Sequence, residues 1–384
     1  MSENLIDNGE LKIENGLSEW KEYKLKECIE TNQRSIGKDY QHSKILYLDT
    51  GSITANRIDG LQEFNIADAP SRAKRLVREN DIIYSSVRPN QLHYGFIKNP
   101  NENLVVSTGF VVITCNQEKI QPKYLFYYLS SDTSTEYLHS IAEASTSAYP
   151  SLKPSDIEAL EIELPPLSEQ RAIAEVLSSL DDKIDLLHRQ NKTLEQMAET
   201  LFRQWFIEEA KEDWEEVMLG SIIKIGSGKG LNKDKYVDNG KYPVLGANGV
   251  IGRTNKYLFD DRLIYTGRVG TLGNVFRVEN KKVWLSDNTL VIKPMKYYNY
   301  VYFILKNAKL GQFNVGSTQP LVRQSDVKEI IIKIAPAKKH LEFENISDLY
   351  FQKIYNNQQQ IRTLEKLRDT LLPKLMSGEV RVKF

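Results

Sequence analysis

The sequence is poor in cysteine, in long apolar runs and in excess charge of either sign. Its 384 residues include two cysteines, Cys28 and Cys115. Two are too few for a disulfide framework or a four-thiolate zinc site, and both are expected to be reduced thiols. No run approaches the ~18 apolar residues of a membrane span, and the polar, acidic N-terminus is unlike a signal peptide. These absences predict a soluble, cytoplasmic protein with no membrane partner.

Charge is balanced over the chain but unevenly distributed along it. The 51 basic and 51 acidic residues exclude a histone-like binder. Residues 214–320 contain 16 basic and 8 acidic residues, residues 20–150 contain 15 of each, and residues 151–213 contain 7 basic and 15 acidic. The segment 214–320 is therefore a candidate polyanion-binding region, whereas net charge gives no support for a second such region in 20–150.

The common catalytic and cofactor motifs are missing. The glycine-rich loop 226–230 lacks the spacing and the Lys-Ser/Thr ending of a P-loop. It is either a turn after a short strand or a basic glycine loop that contacts a DNA phosphate. The five histidines show no metal-ligand spacing, and Asn99-Pro100-Asn101 differs from the Asn-Pro-Pro-aromatic motif of adenine methyltransferases. The sequence thus predicts neither an enzyme nor a cofactor or metal bound by this chain.

An internal repeat is the main positive feature. At an offset of 170 positions, one ungapped register matches Pro150, Ser155-Asp156, Ile162, Pro166, Lys183-Ile184, Thr193-Leu194-Glu195 and Thr200-Leu201 with identical residues in the second half. At an offset of 194, Trp20 and Leu25 match Trp214 and Leu219. The chain is therefore a tandem duplication whose ends stayed alike while its middles diverged.

The similar part of each copy has the pattern of a long helix. Residues step by four and three, the a/d spacing of a coiled-coil seam. In the first copy the seam is Ile173, Leu177, Leu180, Ile184, Leu187, Asn191, Leu194, Ala198, Leu201 and Trp205. In the second it is Phe343, Ser347, Tyr350, Ile354, Asn357, Ile361, Leu364, Arg368, Leu371 and Leu375. Ser347 and Arg368 are poor seam residues, and the apolar Ile346 and Leu367 stand beside them.

Start and stop signals bound these two helices. Ser168 is predicted as the N-cap of the first, with Glu169 in its first turn, and Pro373 and Gly378 are predicted to end the second. Each would be ~50–60 Å long at ~1.5 Å per residue. The favoured arrangement is antiparallel pairing of the two helices within the chain, with Asn191 and Asn357 setting the register. The alternatives are that each helix packs on its own domain, or that both drive oligomerisation.

The diverged middles are expected to be mixed and mainly β. Short β-branched runs, bounded by Gly, Asn and Asp, occupy residues 81–87, 104–113, 262–266 and 283–292. Aromatic helical segments follow from Tyr124 and Tyr300. The predicted fold class is α+β: two mixed, mainly β domains, separated by two long helices that form an antiparallel intramolecular coiled coil, in a tandem repeat with pseudo-twofold organisation.

This organisation resembles HsdS, the specificity subunit of type I restriction-modification systems. Residues 155–206, which include PPLSEQRAIAEVL, look like the central conserved region of that family, and LRDTLLPKLMSGEVRV looks like its distal one. Trp20-Lys21 and Trp214-Glu215 are similar to the starts of its recognition domains. The second copy departs at residues 335–340, where APAKKH replaces PPLSEQ. The docking surfaces of the two halves are therefore expected to differ.

The resemblance implies four segments: target recognition domain 1 (1–154), conserved helical spacer 1 (155–212), target recognition domain 2 (213–324) and conserved helical spacer 2 (325–384). Each recognition domain would read one half of a bipartite site in double-stranded DNA, and the helices would set the unread spacer. Two HsdM methyltransferase subunits would dock on the chain and supply S-adenosylmethionine and the catalytic residues. Two HsdR subunits would add ATP- and Mg-dependent translocation and cleavage.

Loops at equivalent positions of the two domains supply the candidate DNA contacts. Base edges and phosphates are contacted mainly by Arg, Lys, Asn, Gln, Ser and Thr. The candidates are Arg88, Asn90, Gln91, Ser145 and Thr146 in the first domain, and Lys229, Lys233, Arg268, Ser317, Thr318 and Gln319 in the second. For each of them a role in stabilising the loop or the surface is the alternative.

Three other functions remain open from the sequence. A non-catalytic assembly scaffold or decoy would share the duplication but would have no sequence preference. An enzyme with an unrecognised site would methylate or cleave DNA by itself. A self-standing regulator would bind specific DNA tightly without partners, which the balanced charge of the first domain disfavours.

Overall fold

The computed structural model describes residues 20–145, 150–269, 273–313 and 321–382. The chain forms two compact units, one within Met1–Leu186 and Gln360–Phe384 and the other within Leu187–Gln359. Each unit holds one variable region together with part of each long helix. No helix in the described ranges is long and apolar enough to cross a membrane. The four-segment division follows sequence similarity rather than compactness and stays a prediction.

The variable region of the first unit is mainly β. Its strands are β1 (Lys21–Lys24), β2 (Ile29–Thr31), β3 (Lys44–Leu48), β4 (Ile53–Thr54), β5 (Arg57–Ile58), β6 (Gln62–Asn65), β7 (Ala73–Leu76), β8 (Ile82–Ser85), β9 (Tyr94–Phe96), β10 (Leu104–Ser107) and β11 (Phe110–Cys115). Two four-stranded sheets, β6-β3-β10-β7 and β2-β11-β8-β9, share an apolar core. Helices α1 (Pro122–Ser130) and α2 (Asp132–Glu143) follow and pack on the second of these sheets.

The second unit repeats this order of elements. Its strands are β13 (Glu215–Met218), β14 (Ile223–Ser227), β15 (Tyr242–Gly246), β16 (Gly249–Thr254), β17 (Leu263–Gly267), β18 (Val275–Val278), β19 (Trp284–Leu285) and β20 (Thr289–Pro294). They form the sheets β14-β20-β17-β18 and β16-β15-β19, and the aromatic helix α5 (Tyr298–Asn307) follows. The predicted mainly-β character and both aromatic helices are confirmed.

A short helix and a strand lead into each long helix. In the first unit these are α3 (Pro154–Glu158) and β12 (Glu161–Leu164), and in the second α6 (Gln324–Lys328) and β21 (Ile331–Ile334). β12 pairs antiparallel with β1, and β21 pairs antiparallel with β13. Tyr23 lies opposite Ile162 and Val217 lies opposite Ile332. The two matched isoleucines of the repeat therefore have the same structural role: each lies in the strand that pairs with the strand at the start of its variable region.

Both long helices are present, with boundaries that differ from those predicted. Helix α4 is Leu167–Arg203 and helix α7 is Ala337–Met376. The N-cap prediction was wrong, because α4 begins one residue before Ser168. Pro373 lies in the last turn of α7 and does not end it. Its ring removes one backbone hydrogen bond and crowds the preceding turn, but its fixed φ of about −65° is compatible with a helix. Gly378, with φ 72°, follows the end of α7 as expected for a left-handed C-terminal residue.

The helix segments pair antiparallel in the first unit. Arg368 Nη1 donates to Asp181 Oδ1 at 2.9 Å, and the guanidinium of Arg381 binds the carboxylate of Glu169. The residue number rises from Arg368 to Arg381 while that of its partner falls from Asp181 to Glu169. The two segments therefore run in opposite directions. Leu367 is 43% exposed, and Arg368 occupies the seam position beside it.

The second unit contains the same kind of pairing. Asn357 Nδ2 donates to Asn191 Oδ1 at 2.9 Å, and Lys339 Nζ donates to Glu209 Oε2 at 2.8 Å. None of the twenty predicted seam positions is exposed. The intramolecular antiparallel arrangement is therefore confirmed. The paired asparagines supply the polar seam contact that specifies register in coiled coils.

Candidate nucleic-acid interface

The loop after β8 presents three of the predicted residues to solvent. Arg88 has a left-handed backbone, with φ 48°, and precedes a 3-10 turn at Pro89–Gln91. The Gln91 N–H donates to the Arg88 carbonyl at 2.9 Å, which closes the turn. The side chains of Arg88, Asn90 and Gln91 are exposed. A left-handed backbone is costly for a residue other than glycine, so the surrounding contacts must hold Arg88 in this conformation.

The repeat itself anchors this loop. Val87 forms a bridge with Ser151, and the Leu152 N–H donates to the Ser86 carbonyl at 2.7 Å. In the second unit, Val269 forms a bridge with Leu321, and the Val322 N–H donates to the carbonyl of Arg268 at 3.1 Å. The anchoring residues are related by the offset of 170. The two loops therefore occupy equivalent places in their units, as predicted.

The two predicted arginines do not occupy equivalent positions in those loops. Because Leu152 bonds to Ser86 and Val322 bonds to Arg268, Arg268 corresponds to Ser86. The counterpart of Arg88 is then Gly270, which lies outside the described residues. The two loops have different sequences after the strand, so equivalent loops present different residues, and the roles of Arg88 and Arg268 stay predictions.

Arg268 is half-buried among neutral groups. Its Nη1 lies 3.5 Å from the Ser227 hydroxyl, which also accepts from Gln324 Nε2 at 3.2 Å. Its Nε is buried and has no hydrogen-bond partner among the described residues. No carboxylate of the described chain forms an ion pair with this guanidinium, so its charge is available to an anion.

The glycine-rich loop is a structural turn. The Gly228 N–H donates to Thr289 O at 3.1 Å, and the Lys229 N–H donates to Leu285 O at 2.8 Å. These two amides are satisfied within the unit and cannot cradle a phosphate. The side chains of Lys229 and Lys233 are nevertheless exposed and can reach an anion from this turn.

Substituting Gly228 with alanine is expected to destabilise the second unit by about 3 kcal/mol. An added Cβ would lie 2.1 Å from the Ser286 carbonyl oxygen, which is backbone and cannot rotate away. Gly226→Ala is the matched control, because nothing lies within 4 Å of a Cβ at that position. Urea unfolding of both variants provides the measurement. Equal stabilities would show that the turn shifts to admit a side chain.

The remaining predicted residues are placed as follows. Ser145 follows α2 and is half-buried, and its N–H donates to Ala142 O at 3.2 Å. Thr146, Ser317, Thr318 and Gln319 lie outside the described residues. Within the described ranges, no three His, Cys, Asp or Glu side chains are grouped so that they could hold a metal ion.

One basic cluster was not predicted. Residues 72–78 of the first unit include Arg72, Lys74, Arg75 and Arg78 and no acidic residue. The signal was present in the sequence, but the balanced charge of residues 20–150 as a whole concealed it. A charge count in windows of about seven residues would have found this run.

Comparisons with known proteins agree on one family. The family described as "Type I restriction modification DNA specificity domain" matches residues 17–196 and 211–369. The type I restriction enzyme MjaIX specificity subunit of Methanocaldococcus jannaschii is 30% identical over 352 residues, covering 80% of this chain and 79% of that protein.

Two further similarities support this match. The type I restriction enzyme HindI specificity subunit of Haemophilus influenzae is 34% identical over 195 residues, covering 50% of this chain and 42% of that protein. The match thus spans less than half the length of that relative. The crystal structure of a type I restriction-modification system S subunit from M. genitalium has the same fold, with a TM-score of 0.62, 18% identity and coverage of 95% of this chain and 98% of that one.

Proposed function

The chain belongs to the type I restriction modification DNA specificity family, and on this premise we propose that it selects the DNA sequence for a type I restriction-modification complex. One observation carries the proposal. Two diverged loops, one in each unit, are held at the same place by residues of the repeat, at Ser151 and Leu321. A fixed frame that presents two different loops suits the reading of two different half-sites.

Each variable region would read one half of a bipartite site in double-stranded DNA. Arg88, Asn90 and Gln91 would act in the first unit, and Arg268, Lys229 and Lys233 in the second. The paired helices would set the spacer between the half-sites. A helix of 37 residues, such as α4, is ~55 Å long at ~1.5 Å per residue. One DNA turn is ~34–36 Å, so this length suits half-site centres more than one turn apart.

The chemistry would belong to partner subunits. Two HsdM methyltransferases would dock on the helices and variable regions, bind S-adenosylmethionine and receive the flipped adenine. Two HsdR subunits would bind ATP and Mg for translocation and cleavage. This chain would catalyse no covalent step and would bind no cofactor itself. The complex would act in the cytoplasm, where the DNA is.

Co-expression with the methyltransferase subunit of its own system, followed by genome-wide mapping of N6-methyladenine, tests the proposal. We expect methylation at one split motif, two short half-sites with a fixed gap. An Asn90→Ala/Gln91→Ala variant should relax one half of the motif and leave the other intact, because each good bidentate base contact contributes ~1–3 kcal/mol of discrimination. Arg268→Gln should affect the opposite half.

Two results would contradict the proposal. Methylation without a split motif, or no methylation despite a stable complex, would favour the scaffold or decoy. Relaxation of both halves by the Asn90→Ala/Gln91→Ala variant would show that this loop stabilises the subunit and does not read bases.

A further inference from the structure

The unpredicted basic run, residues 72–78, includes strand β7 of the first unit and the residues that flank it. Arg72, Lys74 and Arg78 are exposed, and Arg75 is half-buried. At ~3.3 Å per residue, the distance from Arg72 to Arg78 is up to ~20 Å. The charge is thus spread along a line, as suits a backbone with regularly spaced phosphates.

Backbone pairing with an earlier segment of the same chain adds a fifth basic residue, Arg34, to this region. The Ile36 N–H donates to Lys74 O at 2.8 Å, and the Leu76 N–H donates to Arg34 O at 3.1 Å. The backbone before Ile36 therefore runs beside β7 and brings Arg34 to it. Residues about forty positions apart in sequence are thereby brought together, and Arg34 lies close enough to Arg78 for that charge to add to burial in lowering the pKa of Arg34.

The guanidinium groups of this region are not neutralised within the described chain. Arg34 Nη2 and Arg75 Nε are buried and have no hydrogen-bond partner among the described residues. Arg78 Nη2 donates to the neutral Oε1 of Gln33 at 3.1 Å. Burial and, less strongly, the positive charge of Arg78 lower the pKa of the Arg34 guanidinium. Desolvated cations held together in this way are costly unless an anion completes their hydrogen bonds.

The two carboxylates that follow β7 are already engaged. Asp81 accepts the Arg78 backbone N–H and the Thr114 hydroxyl, both at 2.7 Å. Glu79 accepts the Asn99 N–H at 2.6 Å. Neither forms an ion pair with an arginine of this region within the described ranges. Against burial and the charge of Arg78, the charge of Asp81 acts to raise the pKa of Arg34 and so offsets part of the positive charge. The rest is left to an external ligand.

One end of the basic region is tied to the same turn as the candidate recognition loop. The Thr108 N–H donates to Arg72 O at 2.8 Å, and the Ser86 N–H donates to the next residue of that turn, Gly109 O, at 2.8 Å. The backbone of Arg72 therefore lies close to the base of the loop 86–91.

We propose that Arg34, Arg72, Lys74 and Arg78 form a phosphodiester-binding strip that holds the DNA backbone beside this loop. The inference rests on the proposed function and deepens it. The strip provides affinity that does not depend on base sequence, while the loop provides selectivity. The first recognition region thus has a local charge suited to DNA although its net charge is zero.

The test compares two double variants of the full chain in complex with its methyltransferase subunit. Arg72→Gln/Arg78→Gln removes two exposed charges from the strip. Lys21→Gln/Lys26→Gln removes two exposed charges elsewhere in the same unit, outside the long helices, and is the matched control. Binding to a fluorescent 30-base-pair duplex of mixed sequence is measured by anisotropy across a salt series.

For the strip variant we expect the slope of log K against log salt to be smaller by about 2, with roughly a hundredfold weaker binding at 50 mM salt. The control should match the wild type. Equal slopes for the two double variants overturn the strip. If the strip variant shows the smaller slope but the wild-type complex methylates DNA without a motif preference, the strip is retained and the sequence-selecting function is overturned. A wild-type complex that binds no duplex overturns both.

Discussion

Replacing Glu169 with alanine should destabilise the first unit by about 3 kcal/mol or more and lower its Tm by roughly 6–12 °C. Glu169 is 1% exposed and lies in the first turn of α4. Its carboxylate binds the Arg381 guanidinium through two hydrogen bonds. Alanine would leave that cation, whose side chain is 17% exposed, without its buried partner. Calorimetry and urea unfolding at neutral pH measure the loss.

Two variants separate the ion pair from other effects. Glu163→Ala removes an exposed carboxylate of β12 and should change stability by less than about 0.5 kcal/mol. Glu169→Ala/Arg381→Met should recover much of the loss, since an apolar pair can replace a buried ion pair. A loss below about 1 kcal/mol for Glu169→Ala would mean that Arg381 turns to solvent. The buried pair would then not be what fixes the C-terminal segment.

The long helices were the most predictable part of the fold, because their pattern is local. A 3-4 spacing over 33 residues, at 173–205 and again at 343–375, identifies a seam whatever the rest of the chain does. The spacing placed Arg368 in the seam but gave no reason for a charged residue there. Arg368 lies in the seam because it reaches Asp181 at 2.9 Å on the other helix. No window of residues around Arg368 contains that information.

The β regions were predictable as content but not as topology. Residues 104–113 formed one β-branched run in the sequence, yet they are two strands, β10 and β11, in different sheets. Residues 283–292 divide in the same way between β19 and β20. Periodicity identifies extended chain but does not say which strand it will pair with, because pairing depends on packing between distant segments.

In the candidate interface, too, local features could be predicted from the sequence and features that depend on distant segments could not. Exposure of Arg88, Asn90 and Gln91 followed from their place in a polar loop after a β run, and the structure agrees. The strip was missed for two physical reasons. Net charge was summed over a whole region, so acidic residues elsewhere in it cancelled the basic run. Arg34 joins the strip only through backbone pairing with β7.

The stability of the second unit is expected to fall as the pH falls from about 6.5 to about 4. His340 is fully buried, and its ring stacks on Tyr297 at 4.0 Å and on Phe206 at 4.9 Å. Neither ring nitrogen has a hydrogen-bond partner among the described residues. Burial lowers the pKa of His340 to about 4. At the same repeat position in the first unit, Gln170 is buried but donates to Pro165 O at 2.9 Å.

The direction follows from where each state binds its proton. Above pH 6.5 the ring is neutral in both the folded and the unfolded chain, so no stability is lost. Below pH 6.5 the His340 ring binds a proton in the unfolded chain, whereas in the folded chain it stays neutral down to about pH 4. The loss grows to about 3 kcal/mol across this window, at ~1.4 kcal/mol per pH unit.

Urea unfolding between pH 4.5 and 7.5 measures this dependence, and His340→Phe should remove the part of it that comes from His340. Phenylalanine keeps an aromatic ring between Tyr297 and Phe206 but cannot be protonated. His188→Gln, on the exposed face of α4, leaves the buried ring in place and should retain the wild-type profile. If His340→Phe and the wild type lose stability in parallel as the pH falls, the carboxylates of the unit govern its acid sensitivity and the aromatic enclosure of His340 does not.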